Sequence, residues 1–242
     1  MKIEGTVGGM TFYRSSGEYL VREKGGVDGN RIKNDPTFER TRENNSEFGA
    51  AGSASKLMRD ALRVLIMSAA DSRLTARFTA LMMNILKLDG TSARGQRIPS
   101  VGITTVEGRA LLKGFNFNEK SILGTVLYRP YTMDTATGVI SITGLVPLND
   151  IANPAGATHL SLRGAMADIN LATGEVDVQL TNTVNIPINN SAVDVTLTPA
   201  AVAAGTGIKL FLLKVEFFQE VNATQYTLRN GAFNSMAIIE TA

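Results

Sequence analysis

The 242-residue chain contains no cysteine, a single histidine and no long run of apolar residues. Without cysteine, disulfides, thiol chemistry and thiolate metal sites are excluded, and the composition fits a cytoplasmic protein. The first residues, MKIEGTVGGM, lack the apolar segment of an export signal. The longest apolar stretch, IKLFLLKVEFF, is interrupted by lysines and is too short to span a bilayer. We therefore expect a cytoplasmic protein, released only as a particle or by a route that needs no signal peptide.

Catalytic signatures are missing as well. His159 is the only histidine that could serve as the base of a Ser-His-Asp triad, but it begins an apparent strand and no G-x-S-x-G sequence occurs. No D-x-D-x-D-G loop or carboxylate cluster indicates a metal site. The glycines of GTVGG, residues 5–9, do not fit the phosphate-loop pattern and are better explained by a hairpin. We expect no enzyme activity, no cofactor and no small-molecule substrate.

Charge is distributed unevenly along a chain whose net charge is only +2. Residues 1–97 carry 16 Lys and Arg against 11 Asp and Glu, which gives +5. Residues 98–242 carry 8 against 11, which gives −3. Opposite charges on the two halves of a chain favour attraction between copies.

The N-terminal residues have the pattern of a β-hairpin. MTFYR and EYLVREK alternate as strands do, the SSG between them is a turn sequence, and glycine pairs flank both sides. Two strands alone are barely stable in water, so the hairpin must dock on its own domain or on a neighbouring chain. In the second case, residues 1–28 form an arm that adds to a neighbour's sheet. The anchors of this arm would be Phe12, Tyr13, Tyr19 and Leu20.

Residues 29–97 have the pattern of a helical segment. An Asp-Pro pair at residues 35–36 is a helix-start signal and predicts a separate short polar helix. Apolar side chains recur at helical spacing over residues 53–67 and again over residues 71–88. The short connection between these two stretches favours an antiparallel helical hairpin. Residues 89–100 have the composition of a loop at a domain boundary.

Residues 98–242 consist of short β-type runs separated by turn signals. Seven such runs predict an antiparallel, immunoglobulin-like β-sandwich. Residues 185–207 have little charge and are interpreted as a long loop. The expected class is α+β, with an N-terminal hairpin arm, a helical hairpin segment and a C-terminal sandwich. The predicted strands are residues 105–117, 123–128, 139–143, 159–170, 175–182, 209–221 and 236–240.

Arginines are concentrated between residues 31 and 97. The forked guanidinium of arginine suits phosphates and carboxylates alike. Two interpretations stay open: contact with nucleic acid, or a solvated face that pairs with acidic groups of the same chain or of another copy. No helix-turn-helix or RNA-binding pattern supports the first. The arginines that could make such contacts are Arg40, Arg42, Arg59, Arg63, Arg73 and Arg77.

Three segments together resemble a family of uncharacterised bacterial proteins. They are EGTVGGMTFYRSSGEYLVREKGG, RIKNDPTFERTRENNSEFGAAGSASKLMRDALR and VEFFQEVNATQYTLRNGAFNSMAII. The N-terminal segment is the most specific of the three. The resemblance implies a shared fold and a bacterial, non-secretory origin. It implies no established activity and supplies no catalytic residues.

Three observations favour a structural role: the missing catalytic groups, the hairpin that needs a partner and the opposite charges of the two halves. We expect a subunit of a homo-oligomeric or helical assembly, such as a tube, filament or phage-like particle, built by strand addition between copies. Its partner would be the chain itself, with no membrane involved. A nucleic-acid-associated protein that uses the arginines is the alternative. A β-sandwich that binds carbohydrate or a cell surface is a second alternative.

Overall fold

The computed structural model describes residues 4–15, 17–23 and 26–242. The chain forms two compact units, residues 1–45 and residues 46–242. The helices are α1 (Gly29–Asn34), α2 (Glu39–Ala61), α3 (Arg63–Ile66), α4 (Leu74–Leu86), α5 (Pro99–Gly102), α6 (Val106–Leu112), α7 (Leu123–Val126) and α8 (Pro147–Asp150). The strands are β1 (Gly5–Val7), β2 (Met10–Ser15), β3 (Glu18–Glu23), β4 (Thr132–Met133), β5 (Ile140–Leu145), β6 (His159–Ile169), β7 (Val176–Pro187), β8 (Val193–Leu197), β9 (Ile208–Val221), β10 (Thr224–Thr227) and β11 (Ser235–Thr241).

The first unit begins with an antiparallel sheet in the order β1-β2-β3. Gly8 and Gly9 connect β1 to β2 with φ angles of 56° and 85°, a backbone that favours glycine. The side chain of Asp28 then caps α1. The helix start predicted at the Asp-Pro pair is confirmed, because Asp35 accepts a hydrogen bond from the N–H of Thr37 in the 3-10 turn before α2.

The second unit is organised around a five-stranded antiparallel sheet. Four of its strands follow the order β10-β9-β6-β7, and β11 also pairs with β9. Because β6 occupies one edge of β9, β10 and β11 lie one after the other along the opposite edge. A second, three-stranded sheet has the order β4-β5-β8.

Alternate residues of the central strand β6 enter two different hydrophobic cores. Ala165, Ala167 and Ile169 pack with apolar side chains of α2, α4 and α6. Leu162 and Met166 belong to a core that also contains side chains of β5 and β8. This alternation has the period of two that is typical of a strand buried on both faces. The second unit therefore has three layers: helices, the five-stranded sheet and the three-stranded sheet.

Buried polar side chains join the helical layer to the five-stranded sheet. Asn234 is fully buried, and its Oδ1 accepts a hydrogen bond from the N–H of Phe217 on β9 at 2.9 Å. Its Nδ2 donates to the carbonyl oxygen of Ser68, between α3 and α4, at 2.8 Å. Lys214 on β9 donates to the hydroxyl of the same serine at 3.0 Å. Since a buried polar group left unpaired costs about 1–3 kcal/mol, these bonds oppose separation of the two layers.

Two predicted strands are helical in the structure. Residues 105–117 contain α6, which is capped by the Thr105 hydroxyl, the acceptor of a 2.9 Å hydrogen bond from the N–H of Gly108. Residues 123–128 contain α7, a single helical turn. The predicted loop at residues 185–207 contains β8, which pairs with β5. These three predictions are wrong: a local cap favours the helix at α6, and β8 is a strand because it pairs with β5, which is distant in sequence.

The observed class is α+β, as predicted, with a small N-terminal sheet, one long helix and a sheet-rich C-terminal region. The helices between residues 46 and 97 share a core with the five-stranded sheet. The sequence predicts three domains, which are residues 1–28, 29–97 and 98–242. This division stays a prediction.

Candidate self-assembly surface

The N-terminal sheet contains the four predicted anchors, and its register decides which of them share a face. Phe12 on β2 lies opposite Val21 on β3, and Tyr13 lies opposite Leu20. Residues that lie opposite one another on antiparallel strands project to the same side of the sheet. Phe12 and Tyr19 therefore lie on one face, whereas Tyr13 and Leu20 lie on the other. The predicted hairpin is also extended by β1 to three strands.

One face of this sheet, which we call the apolar face, is mostly hydrophobic. Its members follow from the register of β1, β2 and β3. They are Val7, Met10, Phe12, Tyr19 and Val21, with Arg14 at the end near the β2–β3 turn and Glu23 at the opposite end. Val7 is 65% exposed and Val21 is 52% exposed. A hydrophobic surface of this kind is the feature that protein interfaces cover.

The opposite face, which we call the mixed face, combines polar and aromatic groups. The hydroxyls of Thr6 and Thr11 lie 3.2 Å apart, within hydrogen-bond distance. The guanidinium of Arg22 lies 5.3 Å from the ring centroid of Tyr13, a cation–π contact. The mixed face comprises Thr6, Thr11, Tyr13, Ser15, Glu18, Leu20 and Arg22.

The described part of the first unit has no core of its own. No described residue between positions 4 and 45 is buried. A three-stranded sheet is stable by itself when it has a hydrophobic face or packs against a helix. A contact that covers the apolar face would therefore stabilise the N-terminal sheet further.

The edge of the sheet is a second feature open to contact. β3 pairs with β2 on one side and, within the described residues, with no other strand. All six of its residues are exposed. An edge strand presents unpaired N–H and C=O groups to which another strand can add. The charged side chains of Glu18, Arg22 and Glu23 lie along this edge.

Sequence reasoning missed three members of the apolar face, Val7, Met10 and Val21. Met10 is two residues before Phe12 on the same strand, so strict alternation places both on one side. Val21 would follow once the register of β2 and β3 was known. Val7 lies in a three-residue strand that gives no detectable periodicity.

The six arginines singled out from the sequence lie in both units. Arg42 donates to the carbonyl oxygens of Ile32 and Asp35 at 2.8 and 2.9 Å, and thereby satisfies the end of α1. Arg59 reaches the hydroxyl of Ser55, one helical turn earlier, at 3.4 Å. Exposed to solvent are Arg40, Arg63 and Arg73.

The sixth arginine, Arg77 on α4, makes several contacts inside the second unit. Its Nη2 lies 2.6 Å from Oδ2 of Asp71, and its Nη1 donates to the carbonyl oxygen of Asn116 at 2.8 Å. Its guanidinium carbon lies 5.1 Å from the ring centroid of Phe115. A polyanion could engage this guanidinium only by breaking these contacts.

The carboxyl group of Asp71 is held in its charged form. Burial alone would raise the pKa of Asp71, but backbone hydrogen bonds from Glu119 and Arg73 and the guanidinium of Arg77 outweigh it. The pKa therefore lies below its ordinary value of 3.8. These bonds fix the start of α4 against the chain before α7, which is a structural function.

A second internal pair joins α2 to the loop before α5. Nε and Nη2 of Arg97 donate to the two carboxylate oxygens of Glu47 at 2.7 and 2.8 Å. The N–H of Gly95 donates to the same carboxylate. Hydrogen bonding by Arg97 is the main cause that lowers the pKa of the buried Glu47 below its ordinary value of 4.5.

His159 lies at the start of β6, beside β9. Its Nε2 is 3.6 Å from Oε2 of Glu220, and its Nδ1 is 3.1 Å from the hydroxyl of Thr158. The hydroxyl of Ser161 accepts a hydrogen bond from Asn185. In the described ranges, no group of three or more His, Asp and Glu residues could hold a metal ion.

A groove of about 660 Å³ runs along α4 in the second unit. Small side chains such as Ala76, Thr79 and Ala80 line it, and Phe48 stands at its rim, 61% exposed. It includes none of the residues singled out from the sequence. A row of small residues permits close approach of another surface but does not specify a ligand.

Comparison with protein-family models, with curated proteins and with solved structures gave no match to this chain. The resemblance to a bacterial family therefore stays an expectation from the sequence. In the part of the chain that the structure describes, none of the helices combines the length and the apolar character that crossing a membrane requires.

Proposed function

We propose that the chain is a structural subunit that assembles with copies of itself through the N-terminal sheet. The observation that carries the proposal is the exposure of this sheet on both faces. Leaving apolar surface in water costs about 25 cal/mol per Å², so covering it favours association. The exposed large apolar side chains of the sheet are Val7, Met10, Tyr13, Tyr19, Leu20 and Val21.

The contact between copies would be strand addition at β3. Main-chain groups on the outer edge of β3 would pair with a strand of a neighbouring copy, and side chains of the two faces would add specificity. A head-to-tail contact that does not close produces a filament, whereas one that closes produces a ring. Both products are assemblies of the kind expected from the sequence.

In this proposal the second unit is the body of the subunit. A hydrophobic core between the five-stranded and three-stranded sheets supports a β-sandwich body. The proposal also includes three expectations from the sequence: an immunoglobulin-like strand order, a cytoplasmic location and no enzyme activity.

The nucleic-acid alternative has less support. Arg42 and Arg77 donate to groups of their own units, so fewer of the six arginines are available to phosphates. Arg40, Arg63 and Arg73 are the exposed ones, and isolated surface arginines are common in proteins that bind no nucleic acid. No particular observation favours carbohydrate binding.

The test compares the full chain with a variant that lacks residues 1–26. Size-exclusion chromatography with light scattering gives the mass in solution, and negative-stain microscopy shows the shape of the particles. We expect particles or fibres from the full chain and a folded, smaller species from the variant, because the apolar face and the β3 edge are removed. A full chain that is monomeric at high concentration contradicts the proposal.

A matched pair of point variants separates the sheet from general surface effects. Tyr19→Ser on β3 removes a tyrosine that is 44% exposed from the apolar face, and Tyr226→Ser removes one that is 59% exposed from β10. We expect the first variant to weaken assembly and the second to leave it unchanged. Equal effects of the two variants would show that assembly does not depend on the N-terminal sheet.

A further inference from the structure

The apolar face has opposite charges at its two ends. Among the pairs of β2 and β3 on this face, Arg14 belongs to the one nearest the turn, whereas Glu23 belongs to the one farthest from it. Both side chains are exposed. The hydrophobic residues lie between them. From the turn outward, the pairs on this face are Arg14–Tyr19, Phe12–Val21 and Met10–Glu23.

We propose that two copies pack apolar face against apolar face about a two-fold axis near Phe12 and Val21. The inference rests on the proposed function, because it names what covers the same sheet. A two-fold axis superposes one surface on itself, so residue i of one copy meets residue j of the other and the reverse. Arg14 of each copy then lies opposite Glu23 of the other, and two equivalent ion pairs form.

The dimensions of the sheet permit both ion pairs at once. The first and last pairs of the apolar face are four residues apart, which is about 14 Å along a strand. This separation is identical in both copies, so an antiparallel arrangement that aligns one pair also aligns the other. Packed sheets are about 10 Å apart, which two long side chains that approach from opposite sides can span.

The mixed face offers a competing arrangement. It has the opposite polarity, with Glu18 near the turn and Arg22 at the far end. The apolar face of one copy could therefore lie on the mixed face of the next, with the strands parallel. Pairing of two apolar faces is favoured because each contributes five hydrophobic side chains. The mixed face contributes only Tyr13 and Leu20. Each face has one arginine over a tyrosine ring, Arg14 over Tyr19 and Arg22 over Tyr13, so these contacts do not separate the two arrangements.

The size of the face limits the strength of this contact. Two strands of six residues and one of three cover roughly 240 Å² on each copy. The total of about 480 Å² is less than half of the roughly 1,200 Å² at which stable interfaces begin. Pairing of the apolar faces is therefore a weak contact that acts together with strand addition at β3. In such a contact the terminal ion pairs make a measurable difference.

The test is a charge exchange followed by sedimentation velocity at low salt. Arg14→Glu and Glu23→Arg each place like charges opposite one another at both ends, and we expect each to weaken association by about tenfold. The double variant R14E/E23R recreates both pairs in reverse and should return to within about threefold of the original chain. Circular dichroism checks that these exposed substitutions leave the fold intact.

A second double variant, R14E/E18R, decides between the two arrangements. It restores charge complementarity only when the apolar face lies on the mixed face of a parallel neighbour. We therefore expect the association of this variant to remain weak. Rescue by R14E/E18R but not by R14E/E23R overturns the inference and leaves self-assembly through the sheet intact. Single variants that associate as strongly as the original chain also overturn it. A monomeric original chain instead contradicts the proposed function itself.

Discussion

The two units differ in how much of their apolar surface is buried. The N-terminal sheet exposes side chains on both faces, and no described residue between positions 4 and 45 is buried. The second unit covers both faces of its central sheet, one with helices and the other with a smaller sheet. Strand pairing alone gives a sheet its geometry, whereas covering its faces gives it stability. We therefore attribute folding stability to the second unit, and the proposed contact with other copies would belong to the first.

The largest effect expected is the loss of a core ring in the second unit. Phe78 is fully buried, and its ring centroid lies 4.9 Å from that of Phe115 and 5.9 Å from that of Phe117. We expect Phe78→Ala to lower the free energy of unfolding by about 3–5 kcal/mol in urea titrations. Tyr19→Ala, at a ring that is 44% exposed, is the corresponding change in the first unit and should alter it by less than about 0.5 kcal/mol. Similar losses from both variants would remove the distinction between the units.

A smaller loss is expected when the internal arginine of α4 is removed. Arg77→Ala leaves the carboxylate of Asp71, whose side chain is 7% exposed, without its cation. We expect the free energy of unfolding to fall by about 2–4 kcal/mol, because breaking a buried ion pair strands a charge. Arg73→Ala, at the exposed residue just before the same helix, should change it by less than about 0.5 kcal/mol. Nearly equal values for the two variants would exclude the structural role of Arg77.

We expect acid to lower the folding stability of the second unit, because folding lowers the pKa values of some of its carboxyl groups. The pKa values of Asp71 and Glu47 lie below their ordinary values of 3.8 and 4.5. A carboxyl group with a lowered folded pKa stabilises the fold at pH values above its ordinary pKa, and this contribution is lost as pH falls through the folded pKa. We expect thermal stability to be level near neutral pH and to fall below about pH 4.5. Glu47→Gln should make the fall less steep, and an unchanged slope would contradict this assignment.

The smallest effect is expected within the N-terminal sheet. Arg22→Gln removes the cation above the ring of Tyr13, a contact between exposed groups that is worth about 0.5 kcal/mol. In a dilute, unassembled sample, the amides of β2 and β3 should exchange with solvent up to about twofold faster. The amides of β6 and β9 should be unaffected. Faster exchange in β6 or β9 would show that the sheet stabilises the second unit.

Long strands of the second unit were predictable from sequence, and short segments were not. The eleven residues of β6 and the fourteen of β9 are apolar enough to be recognised without their partners. β8 has only two buried side chains, Val195 and Leu197, and becomes a strand because β5 lies beside it. The seven residues of α6 have a composition typical of a strand, but the Thr105 hydroxyl caps them as a helix. A tertiary partner therefore decides β8, whereas a local cap favours α6.

The long helix α2 shows the opposite kind of error. Sequence reasoning predicts a short polar helix after the Asp-Pro pair and a separate helix over residues 53–67. Between them, Gly49 and Gly52 disfavour a helix by about 1 kcal/mol each relative to alanine. The helix is nevertheless continuous. Ala51 and Met58 are buried in the core of the second unit, and this packing offsets the glycine cost.

For the candidate site, the sequence located four side chains in the N-terminal sheet but not their arrangement, and their role as anchors stays a prediction. Phe12, Tyr13, Tyr19 and Leu20 all lie in the N-terminal sheet, as predicted. Their division between two faces depends on the register of β2 and β3, and a shift by one residue would exchange the faces. Arg14 and Glu23 can be placed at the two ends of the apolar face only once that register is known.

Asn234 has a practical consequence for dissecting the chain. The predicted boundary near residue 97 is a natural place to cut, because helical residues precede it and strands follow it. A cut there would remove the carbonyl oxygen of Ser68 from Asn234 and expose the helix-covered face of β6 and β9. We expect neither fragment to fold alone, and mixing the two should restore a single calorimetric melting transition that neither shows by itself.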